Sequence, residues 1–160
     1  MSPADPPRPT ASRSTNTSTL ETCIDIAASA ERTWDVLTDF PAYPGWNPFI
    51  IMIEGKLKPG ASLVLKLSLP GKPAMTFKPQ LTTVNPPREL RWVGQVLAPG
   101  LLDGAHGFEI ESTGPDRCRL HHVEDFSGVL LPLFIPALQE ATRGGFEAMN
   151  RALKARAERI

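Results

Sequence analysis

The stretch Pro136 to Arg156, PALQEATRGGFEAMNRALKAR, reads as a long helix with one buried side. At 3.6 residues per turn it gathers Leu138, Ala141, Thr142, Gly145, Phe146, Ala148, Met149, Ala152 and Leu153 on one side. Gln139, Glu140, Arg143, Glu147, Asn150, Arg151 and Lys154 fill the other. Gly144 and Gly145 interrupt it, each at about 1 kcal/mol relative to alanine. Gly145 lies near the centre of the apolar side, so either the backbone of a sheet comes close there or a ligand uses the space. A helix of this kind cannot bury its face alone, and the preceding residues must supply a concave partner.

They do so as strands. Leu20 to Ala27 alternates, with Thr22, Ile24 and Ile26 on one side and Glu21, Cys23 and Asp25 on the other. Ser29 then caps the short helix AERTWDVLTDF, and Pro41, Pro44 and Gly45 break a second one before Trp46, Asn47 and Pro48 launch the strand Phe49 to Glu54. Ala61 to Leu69 points Leu63, Leu65, Leu67 and Leu69 one way. Met75, Phe77 and Leu81 form a strand that Pro79 must bend or confine to an edge. Glu89 to Val96 puts Leu90, Trp92, Gly94 and Val96 together, where the glycine marks inner space or a bulge.

The last two strands carry the polar residues of most interest. Ala105 to Glu111 sets His106, Phe108 and Ile110 on one face, and Cys118 to Ser127 sets Cys118, Leu120, His122, Glu124 and Phe126 on one face. Gly114 and Pro115 join them as a hairpin. Keeping both apolar sets on the same face restricts the pairing to alternate registers, and the one nearest the turn places His106 opposite Glu124 and Phe108 opposite His122. A slip by one pairing step opposes His106 to His122, or Phe108 to Glu124, so the polar residues cluster in each register. His121 points to the opposite face, and the His121-His122 doublet is not a chelate.

The expected fold class is α+β: a seven-stranded curved antiparallel sheet wrapped around the long C-terminal helix, with two short helices between strands 1 and 2. Residues 1–19, with four prolines among the first nine positions and then mostly Ser and Thr, read as a disordered leader. Residues 20–158 read as a single domain. Basic and acidic residues balance at 17 each without clustering, which removes the electrostatic basis for binding nucleic acid. No apolar run reaches the roughly 18 residues of a membrane span, and the leader lacks the apolar core of a secretory signal. Cys23 and Cys118 fall on opposite strand faces, which argues against a bridge and fits a reducing, cytoplasmic setting; an organelle transit peptide is the alternative reading of the leader. No phosphate loop, nucleophile elbow, paired-cysteine motif or HExxH occurs, so no cofactor and no metal are expected.

The segments AASAERTWDVLTDF, YPGWNP, ELRWVG, HGFEI, RLHHVEDFSG and GGFEAMNRALK, in this order and spacing, closely resemble the START-like, birch-pollen-allergen-like SRPBCC superfamily, in its polyketide cyclase/dehydrase and lipid-transport branch. The likeness runs from Leu20 to about Arg156. It implies a helix-grip fold around a deep apolar pocket, but fold-level likeness does not fix a reaction. The ligand-binding candidates are Trp46, Leu65, Phe77, Trp92, His106, Phe108, His122, Glu124, Phe126, Phe146 and Met149.

Three roles are open to His106, His122 and Glu124: mutual structural satisfaction, orientation of a ligand carbonyl or hydroxyl, or acid–base catalysis with Glu124 holding an imidazole. The chain is accordingly expected to bind a hydrophobic small molecule, such as a lipid, isoprenoid or polyketide, as a monomer or weak homodimer. A cofactor-independent cyclase or dehydratase using the same pocket is the alternative, and a chaperone-activator-like interaction protein is the third reading.

Overall fold

The computed structural model describes residues 16–95 and 98–159. Most of the expected leader and the inward placement of Val96 therefore lie outside the described residues. Strand β1 spans Thr17–Ile26, so the last three residues assigned to the leader belong to a strand instead. Helix α1, Ala30–Thr38, is capped by the Ser29 side chain, which accepts from the Arg32 backbone N–H at 3.1 Å. It buries Trp34 and Leu37, and a 3-10 helix over Phe40–Gly45 follows it. The Asn47 Oδ1 atom then accepts the backbone N–H groups of Phe49 and Ile50 at 3.0 and 2.9 Å, turning the chain into β2, Ile50–Glu54.

Among the described residues eight strands form where seven were expected. The difference lies at Pro79, which has no N–H for a ladder. It divides the expected Met75 to Leu81 strand into β4, Met75–Phe77, and β5, Gln80–Asn85, and the two enter different sheets. A three-stranded sheet runs β2-β3-β4, with β3 at Val64–Leu67. A five-stranded sheet runs β1-β8-β7-β6-β5, with β6 at Glu89–Gln95, β7 at Asp103–Gly114 and β8 at Arg117–Ser127. Backbone bonds from Leu63 N to Pro79 O (2.8 Å) and Leu81 N to Ala61 O (2.9 Å) stitch the sheets together beside the proline. All strand pairs are antiparallel.

Of the registers that keep both apolar sets on one face, the hairpin β7–β8 adopts the one nearest the turn, His106 opposite Glu124 and Phe108 opposite His122. Cys118 is buried against Thr33, whereas Cys23 is exposed, and both thiols are free.

Helix α2, Leu131–Ala157, lies in the concavity and begins five residues earlier than Pro136. Pro132 occupies the start of the first turn, where a missing N–H costs nothing, and Pro136 is carried inside the helix. Thr142, Gly145, Phe146, Met149 and Leu153 are buried as the wheel predicts. Asn150, assigned to the wet side, is buried as well. Its place four residues after Phe146 and three before Leu153 puts it at the edge of the apolar stripe. A Cβ at Gly145 would overlap the Phe49 ring, which occupies the missing side chain's place, while Gly144 faces open space. The close approach is therefore by a side chain of the turn leading into β2, and no ligand space opens at Gly145.

Candidate functional site

Between the small sheet, the end of β6, the β7–β8 hairpin and α2 lies a cavity of about 140 Å³. Leu65, Leu67, Leu69, Met75 and Phe77 form one wall, and Trp92, Gly94, His106, Glu124 and Phe126 form the other, with Leu138 and Thr142 from α2. Of the residues singled out from the sequence, Leu65, Phe77, Trp92, His106, Glu124 and Phe126 meet this space. The remaining five do not. Trp46 is half-buried and packs edge-on against Tyr43, at 5.0 Å between ring centroids. Phe108, Phe146 and Met149 are fully buried in the core, and His122 lies behind His106.

The polar residues form one continuous chain. Glu124 Oε2 meets His106 Nδ1 at 2.6 Å, and His106 Nε2 meets His122 Nε2 at 2.8 Å. His122 Nδ1 meets Asn150 Oδ1 at 2.9 Å, and Asn150 Nδ2 donates to Thr22 Oγ1 at 2.9 Å. Strand parity brings Glu124, His106, His122 and Thr22 to the same interior, and α2 supplies the amide. Stacking fixes both imidazole planes: His106 lies parallel to Trp92 at 4.7 Å, and His122 parallel to Phe146 at 3.6 Å. The two Nε2 atoms face each other, so one ring donates to the other.

Burial disfavours charge throughout this chain. It pushes His106 down to about 3, with the Arg91 guanidinium adding to the effect. It holds His122 well below the ordinary histidine value, His106 contributing and the Asn150 hydrogen bond opposing. Glu124 is pushed up to about 8, by burial first and the neighbouring Asp125 second. At neutral pH the pair at the cavity wall is thus a neutral acid on a neutral imidazole. A Cβ at Gly104 would overlap Glu124 Oε1, so the glycine is what allows that oxygen its place.

Sequence reasoning missed Asn150 and Thr22, as well as Phe49 and Asp103. Asn150 carried a legible signal, since Thr142, Phe146 and Asn150 recur at intervals of four along one helix face. Asp103 also lines the cavity; its Oδ2 accepts from the Gly100 N–H at 2.9 Å and its Oδ1 has no partner among the described residues.

The comparisons agree with this architecture. Residues 17–158 match the family described as polyketide cyclase / dehydrase and lipid transport. No curated protein matches the sequence. Among solved structures, the Zhui aromatase/cyclase from Streptomyces sp. R1128 superposes with a TM-score of 0.75 at 18% identity, covering 90% of this chain and 95% of that one. A norcoclaurine synthase mutant from Thalictrum flavum gives 0.71 at 17% identity, covering 91% and 97%. A START superfamily protein from Mycobacterium smegmatis gives 0.70 at 23% identity, covering 88% and 97%. At these identities the likeness is one of fold, the helix grip. No helix among the described residues is long and apolar enough to cross a membrane. With nearly all the described chain inside the match and the grip of sheet on helix in place, this protein belongs to the polyketide cyclase / dehydrase and lipid transport family.

Proposed function

We propose that this protein encloses a small hydrophobic molecule of about one ring, held in the cavity by apolar contact and oriented by a hydroxyl or carbonyl directed at Glu124. The observation that carries the reading is an apolar cavity of about 140 Å³ with a buried carboxyl on its wall. A dry cavity of about 150 Å³ is the size that accepts benzene, so a ring-sized ligand fits and a long acyl chain must extend outside. Calorimetric titration with an alkylphenol series tests it. Affinity should rise with the first few added carbons and then stop rising once the cavity is full. Indifference to chain length, or no binding at all, sinks the proposal.

A second reading is supported by the Glu124–His106 contact. Burial brings a carboxyl up and an imidazole down until both are neutral near pH 7, which leaves Glu124 an acid that can release a proton at the cavity wall, with the His106 ring as its hydrogen-bond partner and relay. This is the equipment of a cofactor-independent cyclisation or dehydration. In that case Glu124→Gln and His106→Ala should each lose about two to four powers of ten in turnover, with ligand affinity nearly unchanged. Turnover retained in both variants removes the pair from the chemistry. The open interior speaks against the third reading, a protein acting only through its outer surface.

A further inference from the structure

The four hydrogen bonds from Thr22 to Glu124 have a direction, and it is set at the helix end. Asn150 presents Nδ2 to Thr22 and Oδ1 to His122. An amide oxygen only accepts, so His122 must carry its proton on Nδ1. Its Nε2 is then a lone pair, and His106 must donate to it from Nε2. That leaves His106 Nδ1 without a proton of its own, and the proton in the 2.6 Å contact with Glu124 Oε2 is the carboxyl's. We propose that Asn150 is a positioning residue: through two imidazoles it fixes the polarity of the chain and keeps Glu124 a neutral acid at the cavity wall.

The opposite polarity is equally well bonded and contains one proton fewer. In it the Glu124 carboxylate accepts from His106 Nδ1–H, His106 Nε2 accepts from His122 Nε2–H, and His122 Nδ1 accepts from Asn150 Nδ2, whose amide must turn over so that Oδ1 accepts from the Thr22 hydroxyl. Ring rotation cannot mediate the change, because Trp92 and Phe146 stack flat on the two imidazoles. Loss of the Glu124 proton is thereby coupled to a reversal extending to α2. Of the other groups around the chain, Arg91 adds to keeping His106 uncharged and Asp125 to keeping Glu124 protonated, but none of them hydrogen-bonds to either imidazole. Arg91 is engaged by Glu89, Glu109 and Asp125 beside the hairpin, Asp103 is held by the Gly100 N–H, and Thr142 and Phe146 from α2 and Leu20 from β1 are uncharged.

The functional meaning rests on the acid–base reading above, but the test uses no ligand, so the two can fail separately. In the isotope-labelled full chain, long-range nitrogen–proton NMR should find His122 as the Nδ1–H tautomer and His106 as the Nε2–H tautomer at neutral pH. The Glu124 carboxyl carbon should titrate above the ordinary carboxylate range. Asn150→Leu deprives the His122 Nδ1–H of its acceptor, so both tautomers should exchange and the Glu124 midpoint should fall. Asn150→Asp still accepts and should keep the wild-type His122 tautomer, a split that a packing role does not produce. Should the leucine variant not fold, Thr22→Val gives the same reading by freeing the amide to turn over, and His122 should populate Nε2–H. A wild-type His122 protonated at Nε2, or tautomers that none of these variants moves, overturns the proposal.

Discussion

The Nε2 atoms of His106 and His122 face one another at 2.8 Å, so one ring must donate to the other and their protonation states are not independent. Protonating both Nε2 atoms would set two donors head to head in a dry interior, which burial already disfavours.

The consequence for stability has a defined sign. Burial depresses both histidines in the folded state, so their contribution is complete above the unfolded value of 6.5 and is lost as pH falls below it, for His106 towards about 3. Glu124 is raised, so its contribution is complete below the unfolded value of 4.5 and is lost as pH rises towards about 8. Glu124→Gln should therefore gain on wild type as pH rises from about 4.5 to about 8, by a few kcal/mol in all. Urea midpoints of the two proteins across that range provide the measurement; a constant difference contradicts it.

Two neighbouring glycines should respond oppositely to alanine. Gly144→Ala enters open space and should stabilise by up to about 1 kcal/mol through helix propensity. Gly145→Ala drives a methyl into the buried Phe49 ring and should cost about 1–3 kcal/mol net. Thermal melts of the pair suffice, and equal shifts would show that Phe49 does not pack there.

Asn47 is the hinge between the 3-10 helix and β2. Replacing it with alanine leaves the N–H groups of Phe49 and Ile50 without their buried acceptor, at about 1–3 kcal/mol for each. Chemical denaturation should place Asn47→Ala at least about 2 kcal/mol below wild type. A loss under about 0.5 kcal/mol would mean that the turn forms without the side chain.

Filling the cavity should separate binding from folding. Leu67 is half-buried on the cavity wall, and Leu67→Trp extends into the void. Alkylphenol affinity should fall at least about tenfold, equivalent to about 1.4 kcal/mol, while the denaturation midpoint stays close to wild type. Unchanged affinity would place the ligand elsewhere.

Strand parity and the apolar stripe of the last helix sufficed to read the grip of sheet on helix and the meeting of His106, His122 and Glu124, while the β7–β8 register stayed open among pairings one step apart that parity cannot tell from one another. What parity could not supply is depth. An inward-pointing Phe108 or Phe146 looks the same in sequence whether it ends at a neighbour or at empty space, and both end at a neighbour. Asn150 eluded the reading because a polar residue at the margin of a stripe belongs by default to water. Its burial depends on Thr22 and His122, which reach it from more than 100 and more than 25 positions away. Pro79 was legible as an interruption, but the division into two sheets depends on where Ala61 and Leu63 bond across it.

That division also partitions the pocket chemically. The wall from the small sheet is apolar throughout, Ile50, Leu65, Leu67, Met75 and Phe77, whereas His106, Glu124, Gln95 and Asp103 all belong to the large one. Substitutions in the apolar panel can therefore resize the chamber while the polar panel opposite keeps its hydrogen bonds, so that the volume of the cavity and the chain of polar groups on its far wall can drift independently within one chain.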